Sequence, residues 1–397
     1  MARVVLRAGH VKPVFTGHPW IFKQAIASVE GGPSPGDEVS VFDPRGVFLG
    51  RGLYSGGTTL IPVRLFTRLD HPIDASLLRS RIEKAKHARE ELGLPSEETT
   101  VYRLVHGEGD GLPGLIVDVL GDTVAVQLNT VGIQRRANLV LELLEEMLGP
   151  RAIFDRTSES AARIEGVSVG TGVVRGDESV SEFTFRERGF EFSVPVSLGQ
   201  KTGFYADQRE LRRRVEALSR GRTVLDAYCF VGAFGLAAAR GGAKRVLSVD
   251  QSPLAAEVAA ESARRNQLHS IIEVERGDAV RAMETAGAHG GFDLVLCDPP
   301  KLAPARSKVD AALEAYRKIA RAACRATRPR GLVVFSSCSS AVGFSELVRA
   351  LALGARDANL QATVLEHHVQ APDHPVPAAF PEGLYLKSLI ARVEPTQ

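Results

Sequence analysis

The stretch "TVLDAYCFVGAFG", residues 223–235, decides the fold. An apolar strand ends in Asp226, passes Tyr228 and Cys229, and turns on Gly232 and Gly235 into an alanine-rich helical run at 234–240. Beyond about Phe190 the chain repeats that rhythm. Strands read "RVLSVD", "IIEVER", "FDLVLC" and "GLVVFS", and helical stretches at 253–266, 308–325 and 343–354 separate them. Strands that are apolar almost end to end, joined by helices, belong to a parallel sheet covered on both faces. The fold class is therefore α/β, a Rossmann-like doubly wound sheet, and ligands in such sheets bind where the strands end.

Those ends carry Asp226 with Tyr228, Asp250, Asp278, Asp298 and Cys338. Burying so many carboxylates in a core would cost on the order of a few kcal/mol each unless they were paired. A row of acids along a cleft instead points to a ligand that donates hydrogen bonds. "CFVGAFG" is not the G-x-G-x-x-G of a pyrophosphate cradle. Its tight turn still lets backbone N–H groups approach a carboxylate or another anion at the helix start. Asp250 falls 24 residues after Asp226, where doubly wound folds set an acid against a ribose diol. Adenine, ribose and an amino-acid tail without pyrophosphate describe S-adenosylmethionine, and "GDA" at 277–279 adds a further acid to the same cleft.

Two more stretches speak of chemistry. In "CDPPK", 297–301, Asp298 is followed by two prolines that give the chain a stiff, extended exit. In isolation Asp-Pro-Pro is loop punctuation; after the fourth strand of a nucleoside-binding sheet it reads better as functional. Enzymes that methylate the exocyclic amine of adenine stack an aromatic after such prolines. Here Lys301 and Leu302 stand in that place, which argues against exocyclic-amine chemistry. "VVFSSCSSA", 333–341, ends an apolar strand in four serines wrapped around Cys338. Alone, such a cysteine is a small loop residue; one strand beyond Asp298 it gains a role. C5 of a pyrimidine is a poor nucleophile towards a methyl sulfonium. A thiolate that adds at C6 turns the ring into an enamine and makes C5 reactive, while an acid at N3 holds or protonates the base. The serine hydroxyls are expected to supply donors to that thiolate.

The chain has 397 residues, which implies two or three domains. It is 44% hydrophobic and 24% charged, a globular composition that excludes disorder and fibre. No apolar run suits a secretory signal or a membrane span, so the expected location is the cytoplasm, with no membrane partner. The four cysteines form no CxxC pair, so free thiols are expected and no metal. Net charge is only +2, but no acid precedes Glu30, whereas Arg3, Arg7, Lys12 and Lys23 do. A second basic run, "RELRRR" at 209–214, is either a solvated face or a phosphate-facing patch. Residues 1–70 read as a small β-barrel-like module of short apolar strands between Gly/Pro turns. Residues 73–92 have helical periodicity, and 101–190 alternate strands with one helix, an α+β pattern.

Several of these segments together resemble the bacterial 23S rRNA cytosine-C5 methyltransferases that carry an N-terminal PUA domain. The resemblance rests on "GHPWIF" at 17–22, "YRLVHGEGDGLPGLIVD" at 102–118, "KTGFYADQR" at 201–209, "DPPK" at 298–301, "SCS" at 337–339 and "DHPVPAAFPEGLYLK" at 373–387. It implies a PUA RNA-binding domain over 1–70, a central α+β domain over 71–190 and a class I S-adenosylmethionine-dependent methyltransferase domain over 191–397. It implies Cys338 as nucleophile and Asp298 as the acid near the base and the methyl group. Cofactor contacts are expected from Gln208, Asp226, Tyr228, Phe230, Gly232, Asp250, Asp278 and Asp298, with "KTGFYADQR" closing over them. RNA contacts are expected from Lys12, His18, Trp20, Arg209 and Lys301, since PUA modules bind structured RNA. Where the family usually has a Thr-Gly-Gly-Phe-like turn, this chain has "VGAF". Cys297 is expected to face the same cleft, but Lys301 stands where related enzymes place a product-releasing cysteine, so Cys297 receives no such role. The base that takes the C5 proton is open between His374 and Lys387, with a structural role for each of equal weight.

Two other readings compete. A uridine-C5 methyltransferase would use the same thiol, although the iron–sulfur cysteines of some uridine enzymes are absent. A non-catalytic RNA-binding or assembly factor would need neither Asp298 nor Cys338. The expected partner is large-subunit rRNA, and a homodimer is left open.

Overall fold

The structure is a computed structural model of the chain and describes residues 2–57, 59–198, 202–302 and 309–396. By contact the chain forms two units. One comprises Met1–Arg188, Gly199–Ala206 and Pro372–Gly383; the other comprises Gly189–Leu198, Asp207–Ala371 and Leu384–Gln397.

The second unit is built on one seven-stranded sheet. Its strands are β1 (Thr223–Asp226), β2 (Arg245–Asp250), β3 (Ile272–Arg276), β4 (Phe292–Cys297), β5 (Thr327–Ser337), β6 (Leu360–Val369) and β7 (Lys387–Pro395). They lie in the order β3-β2-β1-β4-β5-β7-β6. The first five are parallel, and β7 runs antiparallel to both β5 and β6. Helices α1 (Ala233–Arg240), α2 (Pro253–Arg265), α3 (Ala279–Ala288), α4 (Val309–Ala326) and α5 (Phe344–Asp357) connect the strands. Their starts are chemically marked. Ser252 caps α2 ahead of Pro253 by accepting from the Ala255 N–H, and Asp278 caps α3 through the Arg281 N–H. Leu225, Val295, Val333, Phe335 and Leu389 are fully buried in a single apolar core. The strand order reverses between β1 and β4, so a crevice opens beyond their carboxyl ends. Asp226 and Asp298 stand on either side of it.

The five strands expected from sequence are all found with their helices. The expectation omitted β6 and β7. Along β6, half-buried and exposed residues alternate as on an edge strand with one wet face, unlike the apolar runs that announce β1 to β5.

In the first unit, residues 2–67 form a six-stranded sheet in the order Trp20–Ile21, Val63–Thr67, Phe48–Tyr54, Glu38–Phe42, Ala2–Leu6, Ile26–Glu30. Val4, Leu6, Ile21, Val39, Val41 and Val63 make its core. A five-stranded sheet follows, in the order Gly172–Gly176, Ala152–Asp155, Thr123–Leu128, Leu115–Leu120, Val101–His106. It shares a second core with the helices Ala75–Glu91 and Ala137–Leu148. Ala75–Glu91 fills the helical window read at 73–92, and Asp74 caps it through the Leu77 N–H. The late segment Pro372–Gly383 is embedded in this unit. Asp373 is fully buried, and its Oδ2 accepts the Arg103 N–H at 3.0 Å. Arg89, 2% exposed, donates to both oxygens of Asp110 at 2.6 and 2.7 Å and to the Asp373 carbonyl at 2.9 Å. "YRLVHGEGDG" and "DHPVP" are thus two sides of one buried ion-pair network.

Candidate active site

The turn after β1 is held by the acids that end the first two strands. Gly235 donates its N–H to Asp226 Oδ2 at 3.0 Å. Asp250 accepts the Phe230 N–H at 3.0 Å and the Ser252 N–H at 2.9 Å. Phe230 is pulled into a positive φ of 50°, which a non-glycine residue adopts at a cost where function demands it. Gly232, at φ 80°, starts α1 in the left-handed region. At Gly235 a Cβ would come within 2.7 Å of Ser248 Oγ. Gly232 is therefore favoured by its backbone conformation, and Gly235 by the close Ser248 side chain.

Asp226 is 2% exposed. Burial, reinforced by the charges of Asp298 and Asp250 and opposed by the Gly235 N–H, pushes its carboxyl up to about 7. Three acids from β1, β2 and the end of β4 are thus close enough to feel one another. Tyr228 lies among them: burial, with Cys297, Asp278 and Asp298 nearby, pushes its phenol well above the usual range. Asp298 accepts a short hydrogen bond from the Gln208 amide. The Oε1 of Gln208 is buried and has no hydrogen-bond partner among the described residues. A cluster of acceptors rich in carboxylate, together with an unsatisfied buried carbonyl, suits a ligand bearing an ammonium group and ribose hydroxyls.

One strand further on, β5 ends in the serine-flanked cysteine. Three of the four hydroxyls around Cys338 have partners on neighbouring elements. Ser336 bonds Ser388 of β7 at 2.8 Å, while Ser337 and Ser339 bond the hydroxyl of Tyr316 on α4 at 2.8 and 3.3 Å. Side chains alternate across a strand and the turn doubles back, so these serines fasten the turn to its two neighbours. Tyr316 is fully buried, and its phenol is raised by burial and by the charges of Cys338 and Asp298. Tyr316 therefore bonds the serines on both sides of Cys338 and feels the charges of both the candidate nucleophile and the candidate acid. Of the four cysteines, Cys338 alone is partly exposed. Burial keeps the thiols of Cys229 and Cys297 well above their ordinary range and pushes Cys324 up to about 12. Cys297 does not face the cleft as expected. It is 1% exposed, still within β4, and packs in the sheet core.

The other expected residues divide. Asp278 caps α3, a role the sequence reading missed although Asp before a helical run is its usual signature. Lys12 and Lys301 are exposed. His18 and Arg209 are buried, at 8% and 6% exposure. The His18 Nδ1 accepts the Trp20 N–H at 3.1 Å. Trp20 is half-buried, donates its indole N–H to Glu108 at 2.6 Å and meets Phe380 edge-on at 4.6 Å. In "RELRRR", Arg209 and Arg212 are buried, Arg213 pairs with Glu210 at 2.9 Å and Arg214 with Glu366 at 2.5 Å. Most of that run is spent inside its own unit. His374 is 2% exposed, 3.2 Å from Asp373 and stacked near His106 at 5.1 Å, all within the first unit. In "KTGFYADQR", Lys201 lies outside the described residues. Thr202 bonds Asp118 in the first unit, and Asp207 accepts the Tyr385 hydroxyl at 2.6 Å in the second.

A parallel sheet in this order with its last-sequence strand reversed, a glycine turn after β1 and acids closing the strands define a class I methyltransferase preceded by a β-rich module. The PUA-like domain family matches residues 4–68, and the S-adenosylmethionine-dependent methyltransferase family matches residues 171–387. The chain is 34% identical to ribosomal RNA large subunit methyltransferase I of Shewanella denitrificans, covering 98% of this chain and 99% of that protein. It is 35% identical to the protein of the same name from Pseudoalteromonas atlantica, with 99% of each covered. A solved chain, SMU.776, provisionally described as a methyltransferase and complexed with SAH, superposes with a TM-score of 0.86 at 20% identity. That match covers 99% of this chain and all of the other. The chain belongs to the ribosomal RNA large subunit methyltransferase I family of S-adenosylmethionine-dependent methyltransferases. Its cofactor is S-adenosylmethionine. No helix among the described residues is long and apolar enough to cross a membrane.

Proposed function

We propose that the chain methylates C5 of a cytidine in 23S rRNA, with Cys338 as nucleophile and Asp298 as the acid beside the base. The names of the relatives supply the rRNA. The observation that carries the chemistry is the placement of the single partly exposed cysteine at the end of β5, between two serines that bond the buried Tyr316. Bound S-adenosylmethionine supplies an electrophilic methyl group. Gln208, Tyr228, Asp250 and Asp278 would hold it, with the Gly232–Gly235 turn approaching its amino-acid end. The Cys338 sulfur forms a bond to C6, the C5=C6 electron pair moves to C5, and C5 takes the methyl group. Asp298, steadied by Gln208, holds the N3 edge while charge develops there. Loss of the C5 proton to a base restores the double bond and expels the sulfur. Lys12 and Lys301 are exposed cations suited to RNA phosphates. The separate cores support three domains, over 1–70, 71–190 and 191–397.

Labelled cofactor and rRNA from a methylation-deficient strain test this reading. Cys338→Ala is expected to lower transfer by about a thousandfold or more while cofactor affinity is retained, and the wild-type label should map to a cytidine. 5-Fluorocytidine at the target should trap a covalent complex, because fluorine cannot leave as a proton does. Label at a uridine would transfer the assignment to that base, and full activity in Cys338→Ala would remove the thiol from the mechanism.

A further inference from the structure

Cys338 has a cationic neighbour. Lys387 opens β7, and its cross-strand partner is Ser337, the residue before Cys338. Its side chain then passes the cysteine. Nζ donates to the carbonyl of Ser339, the residue after it, at 3.0 Å and to the carbonyl of Leu384 at 3.3 Å. Lys387 therefore brackets Cys338 along the chain. It is 3% exposed, and a lysine this far from water needs a negative partner or gives up its proton. An ammonium has three N–H donors. The two carbonyls use two of them, and no hydrogen bond among the described residues uses the third.

Two groups around it can carry negative charge. Glu346 on α5 already accepts the Gly343 N–H at 3.0 Å and the Ser345 hydroxyl at 2.9 Å. The other is Cys338 itself. From α4 comes the neutral Tyr316, held on Ser337 and Ser339, within reach of the charge of Asp298. Burial draws the Lys387 amine down to about 8, and the charges of Cys338 and Glu346 pull against that fall.

We infer that Lys387 is a positioning residue whose ammonium is the counter-ion that keeps Cys338 in its thiolate form. The inference rests on Cys338 being the nucleophile. The thiol proton leaves to solvent before substrate binds, no electrons are exchanged, and the charge of the sulfur is cancelled by the ammonium beside it. When the S–C6 bond breaks at the end of the cycle, the thiolate returns to the same cation.

Alkylation by iodoacetamide, followed site by site by mass spectrometry, reports thiolate at Cys338 without any methyl transfer, and the other three cysteines are buried. In the full-length wild-type protein the pH midpoint for Cys338 is expected below the ordinary thiol value of about 8.5. Lys387→Met should raise the midpoint and slow alkylation at pH 7 about tenfold, and Lys387→Arg should restore most of the rate. Calorimetric cofactor binding, unchanged in both variants, marks them as folded. An unshifted profile in folded Lys387→Met overturns the inference. Should that variant fail to fold, a wild-type midpoint at or above about 8.5 overturns it instead. Failure of the underlying reading shows elsewhere, as methyl transfer that survives Cys338→Ala.

Discussion

Asp226 is the residue whose chemistry departs furthest from its sequence appearance. The sequence shows an acid at a strand end, which reads as a ligand contact. The structure places it under the turn, 2% exposed, gripping the Gly235 N–H. Its folded carboxyl titrates near 7 against an ordinary 3.8. Between those values the unfolded chain releases the proton while the folded chain keeps it, so folding is favoured below about pH 4 and that advantage is lost as pH rises through 7. Asp226→Asn keeps an acceptor for Gly235 but has no proton to lose. Its stability minus that of the wild type, measured by urea denaturation followed by circular dichroism, should grow by on the order of 2–4 kcal/mol between pH 4 and pH 7. A difference that shrinks over that window would mean the acid is ionised in the fold. Asp298 and Cys338 were legible because proline pairs and serine-flanked thiols are rare at strand ends. Tyr316 was not, since it acquires meaning only through a contact across 21 residues of chain; Gln208 and Lys387 were named with their motifs, but their partners Asp298 and Ser339, 90 and 48 residues away, were not.

At the scale of elements, the end of β5 is a turn fixed from two sides, by Tyr316 of α4 and by Ser388 and Lys387 of β7. A nucleophile gains from such rigidity, because an attacking atom must be held near its target geometry. Tyr316→Phe removes the hydroxyl that joins Ser337 to Ser339 and leaves both serines with one partner fewer. The expected result is a loss of about 1–2 kcal/mol in stability, with methyl transfer falling more than cofactor affinity. Equal losses in transfer and affinity would show that the tyrosine supports the whole unit and not the turn. The strands that hold this turn divide by legibility. β1 to β5 are buried on both faces and advertise it by apolar runs. β6 alternates half-buried with exposed positions, and β7 follows a loop that the motif "DHPVPAAFPEGLYLK" had marked only as a family signature.

At the scale of the molecule, the motifs "YRLVHGEGDG" and "DHPVP" turn out to build the first unit. Arg89, Arg103, Asp110, Asp118 and Asp373 form its buried polar network. Breaking one buried pair leaves an uncompensated charge. Arg89→Met should therefore cost about 3–5 kcal/mol in chemical denaturation of the full chain. The double change with Asp110→Leu should recover part of that loss, and no recovery would show that the arginine acts through its packing alone. Sequence reading could not assign these residues, because pairing of conventional charges across a fold leaves no periodic trace. The two units, moreover, are threaded. The backbone passes from one to the other five times between Arg188 and Leu384. No single splice point could hand the methyltransferase unit to a different companion unit. Any such graft, natural or engineered, must move three separate stretches at once, so the recognition and chemistry of this enzyme are inherited together.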